Sequence, residues 1–420
     1  MRWHNRLVEH AVVALARVGH FEHAADGVLS RYFRENPEIG HGDRGAIAES
    51  VYAILRHWRT LTAAIGGEGE RLPRRMFLAW LVRHEGANLR EIEKLLRAGE
   101  RDWLATVKGF DAATLSPAER SELPDWLYER LLASNGEAAT RELAESLKRP
   151  APLDLRVNSL KAEREAVRTA LAETGIEAEP TPHSPLGLRV AGKPALAKNP
   201  LFVDGQIEVQ DEGSQLLGFL LGPKRGEMVV DFCAGAGGKT MLLGALMRST
   251  GRLYAFDVSD KRLVKLKPRL ARSGLSNVHA VRIDNENDLR IKRLAGKIDR
   301  VLVDAPCSGL GTIRRNPDLK LRQDEESVAR LAVTQAAILA AAARLLKPGG
   351  RIVYATCSLL EAENDAIVDG FLADHPGFAA LNAGEALAAA GIDLPGERLR
   401  LSPVAGGTDG FFAALLERKT

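Results

Sequence analysis

The sequence predicts an α/β protein in three parts: an all-helical domain over residues 1–145, a small α+β unit over 146–202, and a parallel sheet with helices on both faces over 203–420. Three observations carry this. Before residue 145 apolar residues recur at steps of three and four, the period of one helical face. After Val203 strand-like and helix-like segments alternate, the pattern that builds a parallel sheet with helices on both sides. A glycine-rich turn, Asp231 to Thr240, falls where the first of those strands ends and a helix opens.

In chain order, the helical stripes run from Leu7 to Val18, from Asp43 to Gly66 (Ile47, Val51, Ile54, Leu55, Trp58, Leu61, Ile65), from Phe77 to Leu81, from Leu89 to Leu96 and from Trp126 to Leu132. All five tryptophans lie in this part, interleaved with arginines. At helical spacing they read as core before they read as platforms for stacking bases. Lys148-Arg149-Pro150-Ala151-Pro152 breaks the pattern and reads as a linker. Leu153 to Val157 alternates as a strand, Lys161 to Thr174 is helical, and short extended segments follow near Ile176 to Glu179 and Leu186 to Val190. Strands are then expected at Met228–Phe232, Arg252–Asp257, His279–Ile283, Arg300–Asp304 and Arg351–Ala355, with an alanine-rich helical stretch at Ile338 to Leu346.

The chain has 420 residues, 45% of them apolar and 27% charged. These are the values of an ordinary soluble protein with more than one core. Its apolar runs fall short of the roughly 20 residues that cross a bilayer. Arg6, Glu9 and Arg17 interrupt the N-terminal stretch, so a cytoplasmic monomer with no membrane segment is expected. The three cysteines, Cys233, Cys307 and Cys357, form no Cys-x-x-Cys pair. This argues against a zinc site or disulfide framework, leaves thiol chemistry, and gives no metal expectation. Residues 251–350 hold 20 lysines and arginines against 11 acidic residues, a basic field suited to a polyanionic partner.

In the turn Asp231-Phe232-Cys233-Ala234-Gly235-Ala236-Gly237-Gly238-Lys239-Thr240, glycines let backbone approach a ligand. Asp257 follows Gly238 by about 20 residues, the interval at which an acid takes ribose hydroxyls. A dinucleotide fingerprint from Gly235 needs glycine at 240, which is Thr240; a phosphate-binding loop ending in Gly238-Lys239-Thr240 needs glycine at 233, which is Cys233. What remains is an adenosine ligand without phosphates, S-adenosylmethionine being the obvious one. Asp284, at the end of the third strand, is placed to meet the adenine, with a plain turn residue as the competing reading.

Two further strand ends carry thiols: Asp304-Ala305-Pro306-Cys307-Ser308-Gly309 and Tyr354-Ala355-Thr356-Cys357-Ser358. Carbon-5 of cytosine is a poor nucleophile, and an enzyme that methylates it first adds a thiolate to carbon-6. If the two strands are neighbours, both thiols face one pocket. Asp304 is then expected at the N3 edge of the ring, where a protonated carboxyl or a bound proton offsets charge developing during addition. Arg314, Arg315, Lys320 and Arg322, just beyond the first thiol loop, are expected to meet phosphates.

With these residues in hand, the chain resembles the Sun (Fmu) family of RNA cytosine-5 methyltransferases, in its bacterial 16S rRNA branch. The likeness rests on Val209-Gln210-Asp211-Glu212-Gly213-Ser214-Gln215, the glycine-rich turn, Asp304 to Gly309 with Arg314-Arg315-Asn316-Pro317, Thr356-Cys357-Ser358 and Asp409-Gly410-Phe411-Phe412. It implies a Rossmann-like class I methyltransferase domain, an RRM-like subdomain that includes Leu155-Arg156-Val157-Asn158, and a NusB-like RNA-binding helical domain. It also implies Cys357 as nucleophile, Cys307 as the thiol that assists release, and S-adenosylmethionine bound by Cys233 to Lys239 (Cys233, Ala234, Gly235, Ala236, Gly237, Gly238, Lys239) with Asp257, Asp284 and Asp304. The implied partner is 16S rRNA or a small-subunit assembly intermediate, with another RNA such as tRNA as the alternative substrate. The family's turn reads Cys-Ala-Ala-Pro-Gly-Gly-Lys; Gly235-Ala236 replace Ala-Pro here, which predicts a looser turn. Three other readings compete: a DNA-type enzyme using Pro306-Cys307, which does not need Cys357; an assembly factor that only binds cofactor; and an ATPase.

Overall fold

Apolar stripes become helices over most of the first 150 residues of the computed structural model, which describes residues 3–66 and 72–420. Helices Asn5–Val18, Ala25–Glu35, His41–Arg56, Trp58–Ile65 and Leu72–Arg83 turn their apolar faces onto one core that contains Leu15, Ile47, Ile54, Leu61 and Phe77. Trp80 is buried and Trp3 meets Phe77 edge-on at 4.9 Å, so these two aromatics belong to the core.

The stripe from Asp43 to Gly66 is two helices rather than one, because His57 leaves helical geometry (φ −109°, ψ 29°). The second helix is capped from afar: the buried Glu122 carboxylate accepts the Arg59 N–H at 2.9 Å and the Thr60 N–H at 3.2 Å. These are donors that a helix start otherwise leaves orphaned. Leu89–Leu96 is not a helix either. The Asn88 side chain accepts the Arg90 and Glu91 N–H groups, each at 3.0 Å, and only a single 3₁₀ turn, Glu93–Leu95, follows. Such local bonding by an asparagine competes with helix formation.

The helical unit, Met1–Pro150, also takes in Thr312–Glu325, although that stretch lies in sequence between strands of the sheet. The Ala25 N–H donates to Asp318 at 3.2 Å, and Leu321 packs on the helical core. This corrects, for Lys320 and Arg314, the expectation that Arg314, Arg315, Lys320 and Arg322 meet phosphates. Lys320 is 2% exposed, with Nζ donating to the Arg56 carbonyl at 2.8 Å and lying 3.9 Å from Glu122; burial, against the pull of Glu122, brings its pKa down to about 8. Arg314 is also buried, its carbonyl accepting from Arg56 at 3.4 Å, whereas Arg315 and Arg322 keep partial exposure. Lys320→Ala leaves Glu122 buried without its cation and is expected to cost about 3 kcal/mol in thermal or denaturant unfolding. A surface phosphate contact, by contrast, changes stability by no more than ~0.5 kcal/mol when removed.

Residues 151–311 and 326–420 form the second unit, which holds two sheets. In the first, β1 (Leu153–Val157), β2 (Ala178–Pro180), β3 (Gly187–Val190) and β4 (Ile207–Val209) are ordered β2-β3-β1-β4, all antiparallel, around a core of Leu155, Val157, Val167, Leu171 and Leu188. β4 pairs with β1 through Leu155 and Val209, so the small sheet extends past the boundary expected at 202.

The larger sheet contains β5 (Met228–Asp231), β6 (Arg252–Asp257), β7 (Val278–Arg282), β8 (Ile298–Asp304), β9 (Leu346–Thr356), β10 (Phe378–Leu381), β11 (Leu399–Leu401) and β12 (Phe411–Arg418). The order is β10-β12-β9-β8-β5-β6-β7, with β11 also on β12. β5 to β9 pair in parallel and β10 to β12 add antiparallel. Val230, Val301, Val303 and Ile352 fill the core from positions with no solvent contact. Parallel strands covered on both faces require this. Helix Glu325–Ala343 is long and apolar enough to cross a membrane, yet Ile338, Leu339, Ala341 and Ala342 are buried in that core. β8 and β9 are neighbours in register, Asp304 opposite Ala355, which sets the loops that leave them side by side.

Candidate active site

The cofactor-type turn between β5 and the helix Gly238–Leu246 takes its shape from left-handed glycines, Gly235 (φ 57°) and Gly237 (φ 83°). A side chain at 237 has no room: its Cβ would lie 1.9 Å from Leu266. The turn is pinned rather than loose. The Gly235 N–H donates to Asp257 at 2.8 Å, the Ala236 carbonyl accepts from Arg269 at 2.8 Å, and the Gly238 carbonyl accepts from Arg156 on β1 at 2.7 Å. Arg156 is itself buried and bonded to Gln210.

The fit to S-adenosylmethionine rests on this donor set. Space is open above Gly235, where no atom lies within 4 Å of a would-be Cβ; Asp257 ends the neighbouring strand, and Val258 beside it is an exposed apolar side chain able to support a flat ring. Asp257 already accepts from Gly235 and from the Ser259 N–H at 2.7 Å, which fixes its carboxylate in place. Asp284 follows Ile283, whose N–H donates to the Asp257 carbonyl at 3.1 Å, so it lies just past the end of the strand beside Asp257. It is 64% exposed and paired with Arg282 and Arg290, and its N–H donates to Asp288.

Cys307 and Cys357 do meet: their Sγ atoms are 3.4 Å apart. Lys239, near the end of the turn's motif, reaches toward the same point, with Nζ 2.6 Å from Asp304 Oδ2 and 5.8 Å from the Phe411 ring. Burial pushes the Lys239 ammonium down, but the charge and hydrogen bond of Asp304, with Cys357 and Asp231 nearby, outweigh it and raise its pKa. For Cys307 the hydrogen bond with Cys357 comes first, then burial, then the charges of Cys357, Glu363 and Asp304. All hold its thiol well above the ordinary range and therefore protonated. Burial likewise keeps the Cys233 thiol protonated, and this side chain packs against the sheet core. Burial also pushes Asp231, which accepts the Thr240 hydroxyl at 2.7 Å, up to about 7.

Sequence reasoning placed Lys239 with the cofactor but missed its ion pair with Asp304. It also missed Arg269 and Glu363, and the reach of Arg156 from the small sheet to the turn, each of which acts across more than thirty residues of sequence.

Comparison with known proteins adds an independent line. Residues 218–417 match the family described as 16S rRNA methyltransferase RsmB/F, and residues 123–196 match the RsmF/B-like ferredoxin-like domain. A probable ribosomal RNA small subunit methyltransferase B of Synechocystis sp. is 33% identical over 399 residues, 87% of this chain and 88% of that one. The ribosomal RNA small subunit methyltransferase B of Sodalis glossinidius is 36% identical over 312 residues, 73% of this chain and 69% of that one. Among solved structures, PH0851 is 28% identical and superposes with a TM-score of 0.83 over the whole of both chains. A methyltransferase homolog protein from Pyrococcus horikoshii, 30% identical, reaches 0.61 over 72% of this chain and all of its own.

Proposed function

The chain belongs to the 16S rRNA methyltransferase RsmB/F family and is an RNA methyltransferase, and from that premise we propose that it methylates carbon-5 of a cytosine in 16S rRNA through a covalent bond from Cys357 to the base. The observation that carries the reading is the 3.4 Å contact of two thiols at the ends of adjacent parallel strands, beside an ion pair that reaches them from the cofactor turn.

The turn Cys233 to Lys239, with Asp257, would hold S-adenosylmethionine, which would supply the methyl group and leave as S-adenosylhomocysteine. Cys357 adds as thiolate to carbon-6, and the carbon-5 enamine so formed is the nucleophile for that methyl. Asp304 meets the N3 edge of the ring and passes to it a proton offered by the Lys239 ammonium, which offsets the negative charge that addition develops there. The two cysteines are not equivalent: Cys357 itself supplies the largest influence that keeps the Cys307 thiol protonated. Once the Cys357 sulfur is bonded to carbon-6, its hydrogen bond and its charge no longer hold the proton on Cys307, which gives that proton up to solvent and, as the thiolate, takes the proton of carbon-5. Loss of that proton re-forms the 5,6 double bond and expels the Cys357 thiolate. Arg315 and Arg322, which keep partial exposure, are left to meet phosphate. The reaction takes place in the cytoplasm, on rRNA or an assembling small subunit.

The test is to incubate the protein with methyl-labelled S-adenosylmethionine and small-subunit rRNA, then digest the RNA to nucleosides. Label in 5-methylcytidine is the expected result. Label in another nucleoside, or in none, overturns the reading.

A further inference from the structure

Glu363 is a fully buried acid that no step above uses, and it sits beneath both thiol loops. Its Oε1 accepts the Ser308 N–H at 2.8 Å and the Gln335 amide at 2.9 Å; its Oε2 accepts the hydroxyls of Ser308, at 2.5 Å, and of Ser358. Ser308 follows Cys307 and Ser358 follows Cys357, so one carboxylate grips the residue after each thiol. Gln335 extends the grip to the other side of Cys307 by donating to the Pro306 carbonyl at 3.0 Å. Glu363 is itself fixed, its carbonyl accepting the Tyr354 hydroxyl of β9 at 2.7 Å. Taking a carboxylate out of water is costly unless donors surround it, and here four donors do.

We propose that Glu363 is the positioning residue that sets the spacing of Cys307 and Cys357, acting through Ser308 and Ser358, and thereby governs the release step rather than cofactor binding. This rests on the two-thiol reading above. Glu363 makes no hydrogen bond to either thiol, so its positioning effect passes through the two serines; its charge, which helps keep Cys307 protonated, is removed equally in Glu363→Ala and Glu363→Gln, and the comparison of those two variants isolates the positioning. Glu363→Ala removes the acceptor from two obligate N–H donors and unties the loops. Glu363→Gln keeps an oxygen for those donors and requires only that the two hydroxyls reverse direction.

Two readouts separate positioning from a general defect. In methyl transfer, Glu363→Ala is expected to lower turnover by ~10²-fold, the cost of a misplacement near ~1 Å, and to accumulate the covalent protein–RNA complex, with S-adenosylmethionine affinity and KM for RNA within about twofold of wild type. Glu363→Gln restores most of the rate. The second readout needs no activity: diamide takes one hydrogen from each thiol and is reduced to its hydrazine while an S–S bond forms, and mass spectrometry follows the joined Cys307 and Cys357 peptides. Wild type and Glu363→Gln are expected to close this bond at similar rates and Glu363→Ala at least about tenfold slower, since closure needs the same alignment. If Glu363→Ala does not fold, the double variant Ser308→Ala/Ser358→Ala cuts the same ties and is expected to behave alike.

Closure at the wild-type rate in the untied variant overturns the proposal, as does loss of cofactor binding together with turnover. If the wild type methylates no cytosine, the functional reading fails, and the oxidation rates still decide the question of spacing.

Discussion

Cys357→Ser is expected to lose methyl transfer by at least ~10⁴-fold while binding S-adenosylmethionine as the wild type does. A serine hydroxyl is not ionised near neutral pH, so nothing adds to carbon-6 and carbon-5 never becomes nucleophilic. Cofactor affinity is expected to survive because the glycine turn takes its bonds from Asp257, Arg156 and Arg269, none of them on β9. Single-turnover transfer from labelled cofactor, alongside equilibrium binding of the cofactor, checks both halves. A loss below tenfold would remove Cys357 from the nucleophile's role.

The second large effect is expected at the Asp304–Lys239 pair. Asp304→Ala is expected to lower the rate of base addition by ~10²–10³-fold, the usual consequence of deleting one oriented group from a dry site. It also carries a pH signature whose sign is fixed by the environment. In the wild type Asp304 is the chief reason the Lys239 pKa stands above its ordinary value; without it only Cys357 and Asp231 oppose burial, and the pKa moves down from its wild-type position. The ammonium is then lost at lower pH, so the residual activity of Asp304→Ala should fall on the alkaline side earlier than that of the wild type. A pH–rate profile with an unshifted alkaline limb would show that Lys239 is not held by this pair. Asp304→Asn, which keeps the shape and removes the charge, is expected to show the same shift.

Much of this site was legible because its signals are local. The turn from Asp231 to Thr240 declares itself by glycines between a strand and a helix, and the structure needs those glycines, with Gly235 and Gly237 at positive φ. The β8 and β9 thiol motifs are each short and continuous in sequence, and their approach follows once the two strands pair. The parts that escaped are made by long-range contacts. Glu122 caps a helix more than sixty residues away, and Glu363 reaches Ser308 from 55 positions along the chain; neither leaves a periodic trace. The stretch Thr312–Glu325 read as a basic surface loop because its charges are visible in sequence and its anchors are not: Asp318 and Leu321 tie it to the helical unit and carry Lys320 inside. β10, β11 and β12 were passed over for a different reason. β12 is buried along nearly its whole length, so it lacks the alternation that marks a half-exposed strand, and β11 is only three residues long.

The most direct test of the two-thiol account is to trap its intermediate. Wild type, Cys307→Ser and Cys357→Ser are each mixed with S-adenosylmethionine and small-subunit rRNA, and the products are run under denaturing conditions. A protein–RNA complex that survives denaturation should accumulate in Cys307→Ser, where addition proceeds and release stalls, and be absent from Cys357→Ser. A complex that accumulates in Cys357→Ser and not in Cys307→Ser would contradict the account, making Cys307 the nucleophile and reversing the roles of the two strands.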